Sequence, residues 1–187
     1  MPTSLLTAIG LVATSSAKLE SSLRFLIGKM TGDHDAGWIV FEGQSMDWLI
    51  SNSIAVLDEY MEGRGQSNDN IASYCRDLRD PIKRATELRV DRNVVIHGEW
   101  SRNCFLGVDE DGYGCKPHSD DSLRGGEVCH VIRSNYRKGS KEEAWNISEI
   151  EICAAEIEIC ANKIRANANT WTSPYNADYW NKMPPNH

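Results

Sequence analysis

Residues 89–100 read RVDRNVVIHGEW, and a helical pattern of apolar side chains stops within this stretch. Upstream, from about Asn70, apolar residues recur every three or four positions, as they do on one face of an α-helix. Gly98 follows His97, and glycine is common just past the end of a helix. Residues 99–145 then lack helical periodicity and are rich in Gly, Asp and Ser. The stretch therefore predicts the end of a long helix and the start of an insertion.

Two further helices are predicted before this one. The first carries an apolar stripe at helical spacing and ends near Gly32. That stripe consists of Leu5, Ile9, Val12, Leu19, Leu23, Leu26 and Met30. Ser45 is placed to cap the second helix, whose inward-facing residues extend to Met61. Both helices therefore have one apolar face suited to packing in a bundle.

The third helical region contains Asp80-Pro81, a favoured N-cap followed by a residue favoured at the first helical position. It is therefore either one kinked helix or two helices joined end to end. In the last helix, Ser148 and Glu151 match a capping box. Its predicted buried seam, widened by Ile152 and Ile159, comprises Ile150, Cys153, Ile157, Cys160 and Ile164.

Within the insertion, residues 127–137 alternate as a β-strand does, which predicts a small hairpin. One face would carry Val128, His130, Ile132 and Tyr136, and the other Val131, Arg133 and Arg137. The predicted fold is therefore all-α, a bundle of four to five main helices with a β-hairpin insertion over about 99–145. It forms a single domain over residues 1–169, followed by a polar and aromatic tail over 170–187.

Length and composition indicate a globular protein. The 187 residues are 41% hydrophobic and 25% charged, enough for one domain with a buried core. A net charge of -7 argues against a surface covered in basic residues for gripping nucleic acid. It does not exclude a local basic patch, because recognition depends on the field at the site.

Nothing in the sequence predicts export or membrane insertion. No Lys or Arg precedes the apolar run LLTAIGLVA, and its helical spacing continues past Lys18, so we interpret it as part of the first helix. No run approaches the roughly 18 apolar residues of a membrane span. We expect a cytoplasmic protein with reduced cysteines. Cys153 and Cys160 lie too far apart along a helix to bridge each other, and they are predicted to be small core residues.

Polar residues near the end of the third helix form the best candidate site. Asn93 and His97 are four residues apart and share a helix face, and Arg92 flanks them. An imidazole titrates near neutrality and serves as a general acid or base, while arginine suits phosphate. Such a trio fits metal-free cleavage of RNA, in which a base helps the 2′-hydroxyl attack its own phosphate. The structural alternative is a polar helix end with a solvated arginine.

The residues Arg92-Asn93-Val94-Val95-Ile96-His97 resemble the Arg-polar-x-x-x-His signature of the HEPN family. The motif is short, but its surroundings are similar too: it closes the third helical segment of a bundle and precedes an insertion and a final long helix. This resemblance covers nearly the whole chain. Many HEPN proteins are metal-independent endoribonucleases whose Arg and His line a cleft between two protomers. Others have lost activity and bind RNA or nucleotides.

The resemblance implies an endoribonuclease in which Arg92 and His97 are catalytic and Asn93 orients them. It further implies a homodimer, no cofactor, and a role in toxin–antitoxin or defence systems with an antitoxin-like or nucleotidyltransferase partner. Two alternatives stay open. One is an inactive HEPN module that binds RNA, a nucleotide or a protein, and the other is a plain helical scaffold.

RNA-binding residues are predicted around this motif, where basic residues outnumber acidic ones between positions 76 and 102. The candidates are Lys83, Arg84, Arg89, Arg102 and Trp100. Ion pairs along the helix would explain the arginines equally well. Trp100 is a candidate for stacking on a base, with buried anchoring of the insertion as the favoured alternative.

A metal site is not predicted. Cys104, Cys115, His118 and Cys129 cluster in the insertion, and zinc binding by them is an alternative to ordinary loop and strand roles. Their spacing is not the close Cys-x-x-Cys kind, so we expect these residues to have ordinary loop and strand roles. The Asp33-His34-Asp35 run is interpreted as a polar turn between helices.

Overall fold

The fold was obtained as a computed structural model that describes residues 1–32, 39–62, 69–102, 116–119, 126–135 and 139–170. Within these ranges the chain is mainly helical, which confirms the predicted class at that level. The four long helices are α1 (Thr3–Thr31), α2 (Met46–Tyr60), α3 (Asp69–His97) and α4 (Ile147–Thr170). The four strands are β1 (Glu99–Ser101), β2 (Lys116–Pro117), β3 (Val128–Asn135) and β4 (Gly139–Asn146).

The chain divides into two compact units. The first comprises Met1–Ala17 and Glu87–Glu158, and it holds all four strands. The second comprises Lys18–Thr86 and Ile159–His187, and it holds α2. Each unit has its own buried apolar residues. No helix in the described residues is both long and apolar enough to cross a membrane.

In the second unit, the predicted helix ends are confirmed. The Ser45 side chain caps α2 by accepting a hydrogen bond from the Trp48 amide at 3.2 Å. Gly32 follows α1 with a φ of 81°, a left-handed conformation that glycine adopts without steric cost. The Tyr60 hydroxyl donates to the Met30 carbonyl at 2.5 Å and so ties the end of α2 to the end of α1.

Pro81 lies inside one continuous helix, α3, so Asp80-Pro81 does not start a new helix. Proline removes one backbone hydrogen bond in a helix interior. Its neighbours Leu78, Ile82 and Ala85 are each fully buried within the second unit. Burial of this apolar face stabilises the helix through the point where local sequence favours a break.

In the first unit, the predicted hairpin exists and belongs to a larger sheet. The strand order is β1-β3-β4-β2, with β1/β3 and β3/β4 antiparallel and β2 parallel to β4. The predicted faces of β3 hold for residues 128–133, whereas Tyr136 and Arg137 lie outside the described residues. The additional strands were not predicted, because β1 and β2 are only three and two residues long.

The start of α4 differs from the predicted capping box. The N-cap is Asn146 and not Ser148: its Oδ1 accepts hydrogen bonds from the Ser148 amide and hydroxyl at 3.1 and 3.0 Å. Glu149 reaches back to accept from the Asn146 amide at 2.7 Å. The same reciprocal geometry therefore occurs two residues earlier, because helix α4 begins directly where β4 ends.

The predicted buried seam of α4 is confirmed, but the two isoleucines predicted to widen it are not buried. All five seam residues are buried, and Cys153 and Cys160 are unbridged, as predicted. Ile152 and Ile159 are instead 58% and 52% exposed. Residues two positions apart differ by about 200° around a helix, so Ile152 lies on the far side from Ile150.

Gly98 follows the end of α3, as predicted, but it does not adopt the left-handed conformation that often makes glycine favourable there. Its φ is not positive, and its amide donates to the Val94 carbonyl at 2.9 Å. A β-carbon at this position would overlap the Cγ2 atom of Val131 on β3 and would lie 2.6 Å from the Val94 carbonyl oxygen. Glycine is therefore required so that the helix end and the buried strand can approach closely.

We expect Gly98→Ala to lower the free energy of unfolding by about 1–3 kcal/mol, the usual cost of overpacking a core. Urea denaturation followed by circular dichroism measures this change. The matched control is Gly10→Ala, because a β-carbon at Gly10 meets nothing within 4 Å. Adding Val131→Ala to Gly98→Ala should recover part of the loss. An unchanged stability in Gly98→Ala would contradict the close approach.

Candidate functional site

The Arg92, Asn93 and His97 side chains come together at the C-terminal end of α3, in the first unit. Arg92 Nη1 donates to Asn93 Oδ1 at 2.8 Å and lies 3.4 Å from His97 Nε2. Arg92 and Asn93 are half-buried, and His97 is exposed. The predicted trio is therefore a single connected cluster with its imidazole open to solvent.

Buried neighbours hold this end of the helix in place. Leu88 and Val95 are both buried, and they lie about 180° and 160° around α3 from His97. Trp100, just after the helix, donates from its indole Nε1 to the Val95 carbonyl at 3.0 Å. This bond satisfies one of the last helical carbonyls, which lack partners within the helix. The helix end that carries Arg92 and His97 is thereby fixed to β1.

The contacts define the roles available to each group. A guanidinium only donates hydrogen bonds, so its approach to His97 Nε2 requires that nitrogen to act as the acceptor. In that tautomer the imidazole proton sits on Nδ1, and the single Nε2 lone pair accepts from Arg92, so it can take a proton once Arg92 turns to a phosphate. The Asn93 amide oxygen holds Arg92 on this side of the helix. A cation and a base therefore lie within one hydrogen-bond length of each other.

The predicted RNA-binding residues are distributed unevenly. In the first unit, Arg89 is half-buried, and the Arg102 side chain is 66% exposed and 3.5 Å from the Glu127 carboxylate. Lys83 and Arg84 are exposed residues of α3 in the second unit. Trp100 is buried, and its indole Nε1 donates to the Val95 carbonyl. The ring is therefore not exposed for stacking on a base. Anchoring of the insertion fits instead.

A second polar cluster in the first unit was not predicted. Glu143, on β4, is buried, and its carboxylate accepts from Trp145 Nε1 at 3.1 Å and pairs with Lys141. His118 lies with Nδ1 3.9 Å from the same carboxylate, and its ring stacks on Trp145 with centroids 3.4 Å apart. Lys141, Glu143 and Trp145 alternate along β4, whereas His118 lies just past β2. No sequence motif marks the cluster because His118 is 25 residues from Glu143 in the chain.

The environment of Glu143 favours its charged form. The His118 imidazole, with Nδ1 3.9 Å from the carboxylate, lowers the pKa of Glu143 most, burial opposes this, and Lys141 and Trp145 lower it further, to about 2. The carboxylate is therefore ionised at neutral pH although it is buried. Its donors compensate for the loss of hydration that burial imposes.

The insertion brings no metal-ligand set together within the described residues. Cys129 is buried, and burial raises the pKa of its thiol, which disfavours the thiolate that binds zinc. His118 is committed to Glu143 and Trp145. Cys104, Cys115 and the Asp33-His34-Asp35 run lie outside the described residues.

Comparison with known proteins yields no relative. No protein-family model, no curated protein and no solved structure matches the chain.

Proposed function

We propose that this chain is a metal-independent endoribonuclease of HEPN type, with His97 as the general base and Arg92 as the phosphate-binding cation. The observation that carries the proposal is the cluster in which Arg92 Nη1 lies 2.8 Å from Asn93 Oδ1 and 3.4 Å from His97 Nε2. The exposed imidazole is accessible to a polymer, and the guanidinium beside it supplies charge without a metal. Asn93 is the positioning residue for Arg92.

The proposed reaction needs only these groups and the RNA. His97 Nε2 takes the proton of a 2′-hydroxyl, and that oxygen attacks the adjacent phosphorus. The bond from phosphorus to the 5′-oxygen breaks, leaving a 2′,3′-cyclic phosphate and a 5′-hydroxyl end. Arg92 donates hydrogen bonds to the phosphoryl oxygens, whose negative charge grows in the transition state.

The departing 5′-oxygen takes its proton from an imidazolium. In the homodimer that the family resemblance implies, the second copy supplies this acid, so that one His97 acts as base and the other as acid. An antitoxin-like or nucleotidyltransferase partner belongs to the same proposal. A regulator of this kind would act by covering the exposed His97.

We expect the purified protein to cleave single-stranded RNA in excess EDTA and to leave 2′,3′-cyclic phosphate ends. Denaturing gels measure cleavage. Resistance of the 3′ ends to polyadenylation after phosphatase alone, but not after acid followed by phosphatase, identifies the cyclic phosphate. The matched control is 2′-O-methyl RNA of the same sequence, which lacks the nucleophile and should stay intact.

Two results would overturn the nuclease assignment. Cleavage that EDTA abolishes would indicate a metal-dependent route. Binding of RNA with no cleavage over a long incubation would assign the alternative, an inactive HEPN module that binds RNA. The half-buried Arg92–Asn93 pair is compatible with that role, because it presents a fixed cation whether or not His97 acts as a base.

A further inference from the structure

A second positively charged surface lies in the second unit, where α1 and α4 meet. The Arg165 guanidinium carbon lies 3.7 Å from the centre of the Phe25 ring, and Lys29 Nζ lies 5.5 Å from the same centre. No more than about 9 Å therefore separates the two cations, a distance at which like charges still repel in dilute salt. We call Phe25, Lys29 and Arg165 the Phe25 patch.

No acidic side chain in the described ranges pairs with this patch. Residues 159–170 contain no Asp or Glu, and residues 18–31 contain only Glu20, which pairs with Arg24 at 3.3 Å. Within the described part of the chain, neither Lys29 nor Arg165 has an acidic partner. In a protein with a net charge of -7, two neighbouring cations that pair with no carboxylate of the described residues are a place where an anion would gain free energy by binding.

The ring contact prepares Arg165 for such an anion. A guanidinium lying over an aromatic ring uses its flat face, so its N–H groups stay available at the edges. The ring also restricts the rotamers of Arg165, which reduces the entropy lost when an anion is held. Lys29 adds a second charge on the same ring. A phosphate group, with several acceptor oxygens, matches both donors.

We propose that the Phe25 patch binds a backbone phosphate of single-stranded RNA, away from Arg92 and His97 in the sequence and in the other compact unit. This inference deepens the proposed ribonuclease function, on which the choice of RNA as the ligand rests. Because cations already contact the Phe25 ring, the patch contacts the backbone and not a base, and it binds without sequence preference.

The test is the affinity of the full-length protein for a fluorescein-labelled 20-nucleotide 2′-O-methyl RNA, measured by anisotropy across a salt series. We expect Arg165→Gln to weaken binding roughly three- to tenfold and to reduce the salt slope by about 0.7, the contribution of one single-strand phosphate contact. Phe25→Leu should weaken binding in the same direction, because it removes the platform and keeps the apolar bulk.

The matched control is Lys163→Gln. Lys163 is exposed on the same helix and carries the same charge, but it lies about 200° around α4 from Arg165. Equal affinities for Arg165→Gln and Lys163→Gln would overturn the patch while leaving His97-dependent cleavage intact. Loss of affinity in Arg165→Gln alone supports the patch even if the protein cleaves nothing.

Two further outcomes count against the proposal. A wild-type protein that does not bind the oligonucleotide overturns it. If polyglutamate of matched length competes as well as unlabelled RNA, the patch is a docking site for an acidic protein, and its assignment to phosphate is wrong.

Discussion

The His97→Ala protein is expected to cleave RNA about 10²–10⁴-fold more slowly than the wild-type protein, the usual contribution of a general acid or base. The physical reason is that His97 supplies the proton-accepting nitrogen of the proposed reaction beside Arg92, and alanine has no such group. Initial rates on a fluorescent RNA, measured in EDTA at substrate concentrations below saturation, give the change in kcat/KM. The His97 side chain is exposed, so we expect the thermal unfolding midpoint to stay unchanged.

The matched control for this variant is Glu99→Gln. Glu99, on β1, is exposed and lies two residues after His97 in the sequence. The Glu99→Gln protein should cleave RNA at the wild-type rate. If His97→Ala cleaves as fast as the wild-type protein, His97 is not the base. A contaminating nuclease would produce the same activity in both proteins, and the Arg92→Ala substitution would not lower that activity either.

We expect Glu143→Gln to lower the free energy of unfolding at pH 7 by about 2–3 kcal/mol, because hydrogen bonds and ion pairs to a buried charge are lost. The glutamine keeps the shape and still accepts from Trp145, but it has no charge to attract His118 or Lys141. Urea denaturation of the two proteins measures the difference. Glu151→Gln, an exposed substitution at the start of α4, is the matched control.

The difference in the free energy of unfolding between the two proteins should become smaller as the pH falls. The pKa of Glu143 is lowered in the folded protein, from its ordinary value of 4.5 to about 2. A carboxylate with a lowered folded-state pKa stabilises the fold above its unfolded pKa and loses that effect as the pH falls. The wild-type and Glu143→Gln proteins should therefore converge in stability between pH 4.5 and about 2. A difference that stays constant across this range would contradict the charge-based explanation.

Much of the helical structure was predictable because its signals are local. The buried stripe of α1, the Ser45 cap and the α4 seam all follow from residues within a few turns of each other. Local reasoning was wrong where two local signals competed. Ser148 and Asn146 are both good caps, and the choice between them was made by β4, which extends to Asn146.

The sequence predicted which residues form the candidate site, but it did not predict which of their atoms are in contact. Spacing placed Asn93 and His97 on one face of a helix, whereas Arg92, five residues from His97, was expected only to flank them. The contact of one Nη1 atom with both partners depends on the side-chain conformation of Arg92. Of the two roles left open for Trp100, its burial fits anchoring of the insertion, the favoured alternative, because stacking on a base requires an exposed ring.

By itself, the sequence determined that the chain is mainly helical, where its helices carry apolar faces, and that RVDRNVVIHG ends one of them. Only the tertiary structure decided why Gly98 is needed, since Val131 is 33 residues away in the chain yet leaves no room for a β-carbon. It likewise decided that Glu143 is buried and ionised, since the groups around it come from β4 and from His118, just past the paired strand β2. Helical signals repeat every few residues along the chain, whereas strand pairing and close approach join residues that the chain keeps apart.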